Sequence, residues 1–150
     1  MKVYPDTSFL CALYRLQANS TVAAAYFSAM PGPLEVTTLL LYEFRQAVRF
    51  QMRLHRHDSS KGYPRLEGTK MLTDLKSDLV SGEVITIPAP WAQVHLAAER
   101  LSELYTGASG HRSMDILHVV TAIELGAQEF LTFDGNQKKL AQAEGLKVSL

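Results

Sequence analysis

The sequence lacks most of what would place it in a special class. It has one cysteine, Cys11, among 150 residues, so neither an internal disulfide nor a cysteine zinc framework can form. A reducing compartment fits that usage. Neither charge is in excess: 15 Lys and Arg balance 15 Asp and Glu. With no global positive field, an anionic partner needs a local basic patch or metal ions. No apolar run approaches the roughly 20 residues of a membrane span. The opening Met1-Lys2-Val3-Tyr4-Pro5-Asp6 has no signal-peptide core, so a soluble, cytoplasmic protein is expected. Internal repeats, low-complexity tracts and interdomain linkers are also missing.

What remains is ordinary globular composition, 47% hydrophobic and 20% charged, in a length suited to one domain over 1–150. Short β-prone runs alternate with longer helical ones. Strands are predicted at 2–4, 34–37, 84–87 and 129–133, with a last one at 147–149. Helices are predicted at 8–15, 21–30, 38–55, 69–80, 90–105, 113–125 and 137–143, with loops over 57–68 and 106–112. Ser113 is expected to cap its helix. Strands separated by helices imply parallel pairing and an α/β sandwich, whose ligands bind beyond the carboxyl ends of the strands.

Four acids stand out against that frame. Asp6 follows the first strand, where it also suits a helix N-cap. Glu43 interrupts an apolar helical stripe, where it is either half-buried and paired with a neighbour such as Arg45 or held near a cation. Asp115 opens a helix, where it also complements the helix dipole. Asp134 ends the Phe130-Leu131-Thr132-Phe133 strand, where it also reads as a turn residue. Each local explanation suffices alone. Together they put three Asp residues on one rim beside a Glu. Clustered carboxylates repel and raise one another's proton affinity, a penalty that a hard dication removes.

Asp6-Thr7-Ser8, Glu43, Arg112-Ser113-Met114-Asp115-Ile116-Leu117-His118 and Phe130-Leu131-Thr132-Phe133-Asp134 occur in this order. The ordered set resembles the PIN-domain family, and within it the VapC-type toxins of prokaryotic toxin–antitoxin pairs. The resemblance implies a PIN-like three-layer sandwich, a central parallel sheet of four to five strands flanked by helices. It also implies a Mg²⁺-dependent (or Mn²⁺-dependent) endoribonuclease in which metal-activated water cleaves RNA phosphodiesters. Carried over by position, Asp6, Glu43, Asp115 and Asp134 are the metal-binding acids, and Ser8 orders the site through hydrogen bonds. Cytoplasmic localisation, a VapB-like antitoxin and a homodimer complete what the resemblance implies. Two departures stand out. Pro5 occupies an aliphatic position and is expected to end the first strand early. Gly135-Asn136-Gln137 adds no further acid.

Candidate substrate contacts are Arg112, Asn136, and Arg45 and Arg49 on the long helix. Arg45, Arg49 and Arg53 recur every four residues, as a solvated face, a phosphate contact or an antitoxin dock. His118 reads as a core histidine, and His55 with His57 and Asp58 as too few ligands for a metal. Two rival readings remain. One is a catalytically inactive PIN-like module binding RNA or protein. The other is a phosphatase or phosphotransferase forming an aspartyl phosphate on Asp6, although the acid expected two residues on is replaced by Ser8.

Overall fold

The computed structural model describes residues 1–150. The elements follow in the order β1 (Val3–Pro5), α1 (Thr7–Tyr14), α2 (Ser20–Ser28), β2 (Leu34–Val36), α3 (Thr38–His57), α4 (Arg65–Ser81), β3 (Val84–Thr86) and α5 (Trp91–Leu101). A π-helical turn then covers Ser102–Thr106, followed by the short α6 (Gly107–Ser109), α7 (Ser113–Glu124), β4 (Glu129–Leu131) and α8 (Gly135–Ala143). No helix is long and apolar enough to cross a membrane. The chain forms two compact units, one from Met1–Phe9 with Pro88–Leu150 and the other from Leu10–Ile87.

In the first unit β1 and β4 pair in parallel, with Val3 opposite Glu129, Tyr4 opposite Phe130 and Pro5 opposite Leu131. Pro5 does not cut the strand short. It is the last residue of β1, and the ladder runs one residue further through Asp6 N–H to Leu131 O at 3.0 Å. The expected last strand shrinks to a single parallel bridge between Lys147 and Glu129. Tyr4, Val94, Leu101, Val119, Val120, Phe130 and Leu140 fill this core. The Tyr4 and Phe130 rings stack at 6.4 Å, and those of Phe9 and Phe133 at 6.2 Å.

In the second unit β2 and β3 pair in parallel, with Leu34 opposite Val84 and Val36 opposite Thr86. The expected four strands are therefore present as two parallel pairs, one in each unit, and all are three residues long. The buried stripe of α3, Leu40, Leu41, Phe44 and Val48, joins Met71 and Leu75 of α4 in this core. Arg15 pairs with Glu67 at 2.6 Å and lies over the Tyr63 ring.

Several helix ends move from their predicted places. α4 begins at Arg65 rather than 69, because Gly68 is helical despite its low propensity. A Cβ at Gly68 would meet Met52 Cγ and Sδ at 2.5 Å, so the bare backbone lets α4 approach α3. The helix predicted over 90–105 stays α-helical only to Leu101, then widens into the π turn.

Candidate active site

Asp6 follows β1 and is completely buried. Its Oδ1 accepts from Ser8 Oγ at 2.6 Å and from Phe9 N–H at 3.0 Å, the second bond closing the start of α1. Its Oδ2 accepts from Thr132 Oγ1 at 2.5 Å. Both hydroxyls are two-sided. Ser8 Oγ accepts from Phe133 N–H at 2.8 Å, and Thr132 Oγ1 accepts from Asp134 N–H at 2.9 Å. A hydroxyl has one proton to give, and here each gives it to Asp6 while receiving one from the backbone after β4. The pairing of β1 with β4 thus locks Asp6 to the segment that carries Asp134.

Burial pushes the Asp6 carboxyl above the ordinary Asp value of 3.8, because desolvation disfavours the charged form. Hydrogen bonds from Ser8, Thr132 and the Phe9 amide, with the charge of His118, oppose that shift without cancelling it. His118 is wholly buried, with its ring 6.4 Å from that of Tyr4. It is a core histidine that also acts electrostatically on Asp6.

Asp134 is the N-cap of α8, and its Oδ1 accepts from Asn136 N–H at 2.8 Å and Gln137 N–H at 2.9 Å. Asn136 therefore contributes its backbone to the cap. Gln137 is buried, and its Oε1 has no hydrogen-bond partner. Asp115 sits in the first turn of α7, where Oδ2 accepts from Arg112 N–H at 3.2 Å and faces Arg112 Nε at 3.7 Å. The N-cap of α7 is Arg112, one residue before the expected Ser113, because Asp115 reaches back to that amide. The Arg112 side chain is 84% exposed and Asp115 is 13% exposed. Each of the three Asp residues satisfies amides at a helix start, where the helix dipole favours negative charge.

Glu43 is half-buried on α3, in the second unit. Arg45 is half-buried and Arg49 exposed on the same helix. His55 Nδ1 approaches Lys61 O at 3.2 Å, and Asp58 binds Ser60 and Lys61. These contacts account for that cluster as the end of α3.

The Asp carboxylates are hard oxygen donors of the kind Mg²⁺ takes, and a cation would offset the charge that burial disfavours at Asp6. Their chemistry therefore fits a divalent ion. No three His, Cys, Asp or Glu side chains are close enough here to hold one.

Sequence reasoning missed Thr132. A Thr inside a β-prone run carries no local signal, and its role arises from pairing with a residue 126 positions away. It also missed a cavity of about 400 Å³ walled by α5, the π turn and the start of α7, with Glu99, Glu103, Thr106, His111, Ser113 and Ile116 in its lining. His111 is buried there with its Nδ1 unpaired, the Tyr105 ring edge-on to it at 6.4 Å. Its place in a Gly/Ser-rich segment gave no hint of burial.

The structure resembles that of VapC20 from Mycobacterium tuberculosis, a toxin that cleaves the sarcin–ricin loop. Identity is 18% and the TM-score 0.59, over 97% of this chain and 96% of that one. It is equally similar to FitAcB from Neisseria gonorrhoeae, at 18% identity and a TM-score of 0.59, over 97% of this chain and 95% of that one. At such identity these likenesses concern the fold. No curated protein matches the sequence. The family model for the PIN domain matches residues 3–143, nearly the whole length. The chain belongs to the PIN-domain family.

Proposed function

We infer that the protein is a metal-dependent endoribonuclease, the toxin of a VapBC-type toxin–antitoxin pair, folded as a single PIN domain over 1–150. The observation that carries this reading is the buried carboxylate of Asp6 after β1, fixed by Ser8 and Thr132 to the backbone leading into Asp134. A structural cap needs one oxygen and one amide. Here two hydroxyls and an amide hold a charge that its surroundings disfavour, an arrangement suited to offering that charge to a cation.

Asp6, Asp115 and Asp134, all of the first unit, would hold Mg²⁺ or Mn²⁺. When bound, such an ion supplies Lewis-acid activation of water and neutralises charge on the scissile phosphate. Ser8 and Thr132 fix the direction of the Asp6 oxygens, so little reorganisation is left to the reaction. Arg112 is exposed beside Asp115 and can exchange that 3.7 Å pairing for a phosphate, with a planar guanidinium suited to it. Asn136 keeps its side chain at the surface of the Asp134 turn for substrate contact. A VapB-like antitoxin, a homodimer and a cytoplasmic setting belong to the same reading.

The test is RNA cleavage by the purified protein with Mg²⁺ or Mn²⁺. Asp6→Asn and Asp115→Asn are expected to lower the rate by roughly a hundredfold or more while circular dichroism stays that of the parent. Full activity in both variants would defeat the assignment. One observation favours a second reading, a non-catalytic PIN module: no three acids sit at ligating distance. Silence of the partner-free protein under saturating Mn²⁺ would select it.

A further inference from the structure

We propose that the outer face of α3 is a platform for single-stranded RNA, which deepens the ribonuclease reading and rests on it. The buried stripe Leu40, Leu41, Phe44 and Val48 fixes which side of α3 faces inward. At 100° per residue, Tyr42, Gln46, Arg49, Phe50, Arg53 and Arg56 then lie along the opposite side. All six are exposed. The stripe runs for roughly 21 Å at 1.5 Å per residue.

Two independent features of this face point to the same ligand. The first is uncompensated charge. Arg49, Arg53 and Arg56 are solvent-exposed and form no ion pair, and α3 contains one acid, Glu43, against four arginines. The whole chain is neutral, so this stripe concentrates a positive charge that the composition conceals. The second is exposed aromatic surface between the guanidinium groups: Tyr42 is 64% and Phe50 51% exposed. Leaving two rings in water is unfavourable unless something covers them. The face carries one aliphatic side chain, Leu39 at its start, and that one is half-buried, too little to anchor an apolar partner. Arginines that take phosphates, interleaved with rings on which bases stack, are what an unpaired strand requires. A duplex keeps its bases stacked inside and leaves the rings unused.

The experiment is fluorescence anisotropy in EDTA, where cleavage is suppressed. The probes are an unstructured RNA of about 12 nucleotides and a duplex of the same sequence. The parent is expected to favour the single strand. Arg49→Gln with Arg53→Gln should weaken that binding about tenfold or more. It should also flatten the dependence of log affinity on log salt by about 1.4, the loss of two phosphate contacts. Tyr42→Ala with Phe50→Ala should weaken it by about tenfold or more with the salt slope unchanged. Arg49→Lys with Arg53→Lys, which preserves charge, should retain most of the affinity and serves as the reading if the Gln pair folds poorly.

Equal affinity for duplex and single strand, or parent-like binding by both double variants, would overturn the proposal. So would loss of a dimer in Tyr42→Ala/Phe50→Ala by light scattering with RNA affinity intact, which assigns the face to a second copy. The two readings fail separately. Binding by the parent without cleavage under Mn²⁺ defeats the nuclease alone, and cleavage with an unchanged KM in both double variants defeats the platform alone.

Discussion

Asp6 keeps its carboxyl wholly out of water. Burial raises its proton affinity above the ordinary value, and three hydrogen-bond donors only partly restore the ionised form. A folded-state value above the unfolded one means that the stability Asp6 contributes is complete below 3.8 and is lost as pH rises through the folded value. In chelator-treated protein, Asp6→Asn is therefore expected to melt above the parent at pH 7, and the margin to shrink as pH falls toward 4. A variant that melts below the parent at pH 7 would contradict this. Thr132 bears on the same charge from the far end of the network. Thr132→Val leaves Asp6 Oδ2 and the Asp134 amide unpaired, at a cost of about 1–3 kcal/mol, while Thr132→Ser keeps both bonds. Urea denaturation of the two variants makes the comparison, and equal stability would remove Thr132 from the account.

At the scale of elements, period and punctuation in the sequence located the four paired strands and every helix except the short α6, Gly107–Ser109, which falls in the stretch 106–112 read as a loop, and they failed where tertiary contact overrides local preference. The start of α4 was hidden by Gly68, which is a poor helix former but is required where Met52 lies against the backbone. The last strand reads as β-prone at 147–149 but finds a partner only at Lys147. The loop between α3 and α4 reads as merely polar, yet Gly62 within it has φ +59°, and a Cβ there would fall 2.1 Å from Gln51 O. Gly62→Ala meets both a left-handed backbone and a backbone clash. It is expected to cost about 2 kcal/mol or more, read as a lower urea midpoint with an unchanged slope. A loss below about 0.5 kcal/mol, the usual range for neutral surface changes, would mean that the loop yields and does not brace the end of α3.

Over the whole molecule, the three Asp residues were legible because each sits at a strand end or helix start that the chain's punctuation reveals, and Glu43 because it interrupts the apolar stripe of α3. The connections among them were not. The bonds that tie Ser8 and Asp6 to Thr132 and Phe133 span more than 120 residues and exist only once β1 lies against β4. The basic stripe was visible at four-residue spacing, but the exposed rings beside it became meaningful only when the buried side of α3 was fixed. The proposal of RNA hydrolysis assisted by a divalent ion rests on a PIN-family fold, a buried acid pinned across its first and last strands, and a local cationic face on a neutral chain. The most direct measurement is to sequence the ends of RNA incubated with the purified protein in Mg²⁺ and, in parallel, in chelator. The account predicts defined internal cuts bearing 5′-phosphate and 3′-hydroxyl ends with Mg²⁺ and none with chelator. Cuts that persist in chelator, or that leave cyclic phosphates, would contradict it.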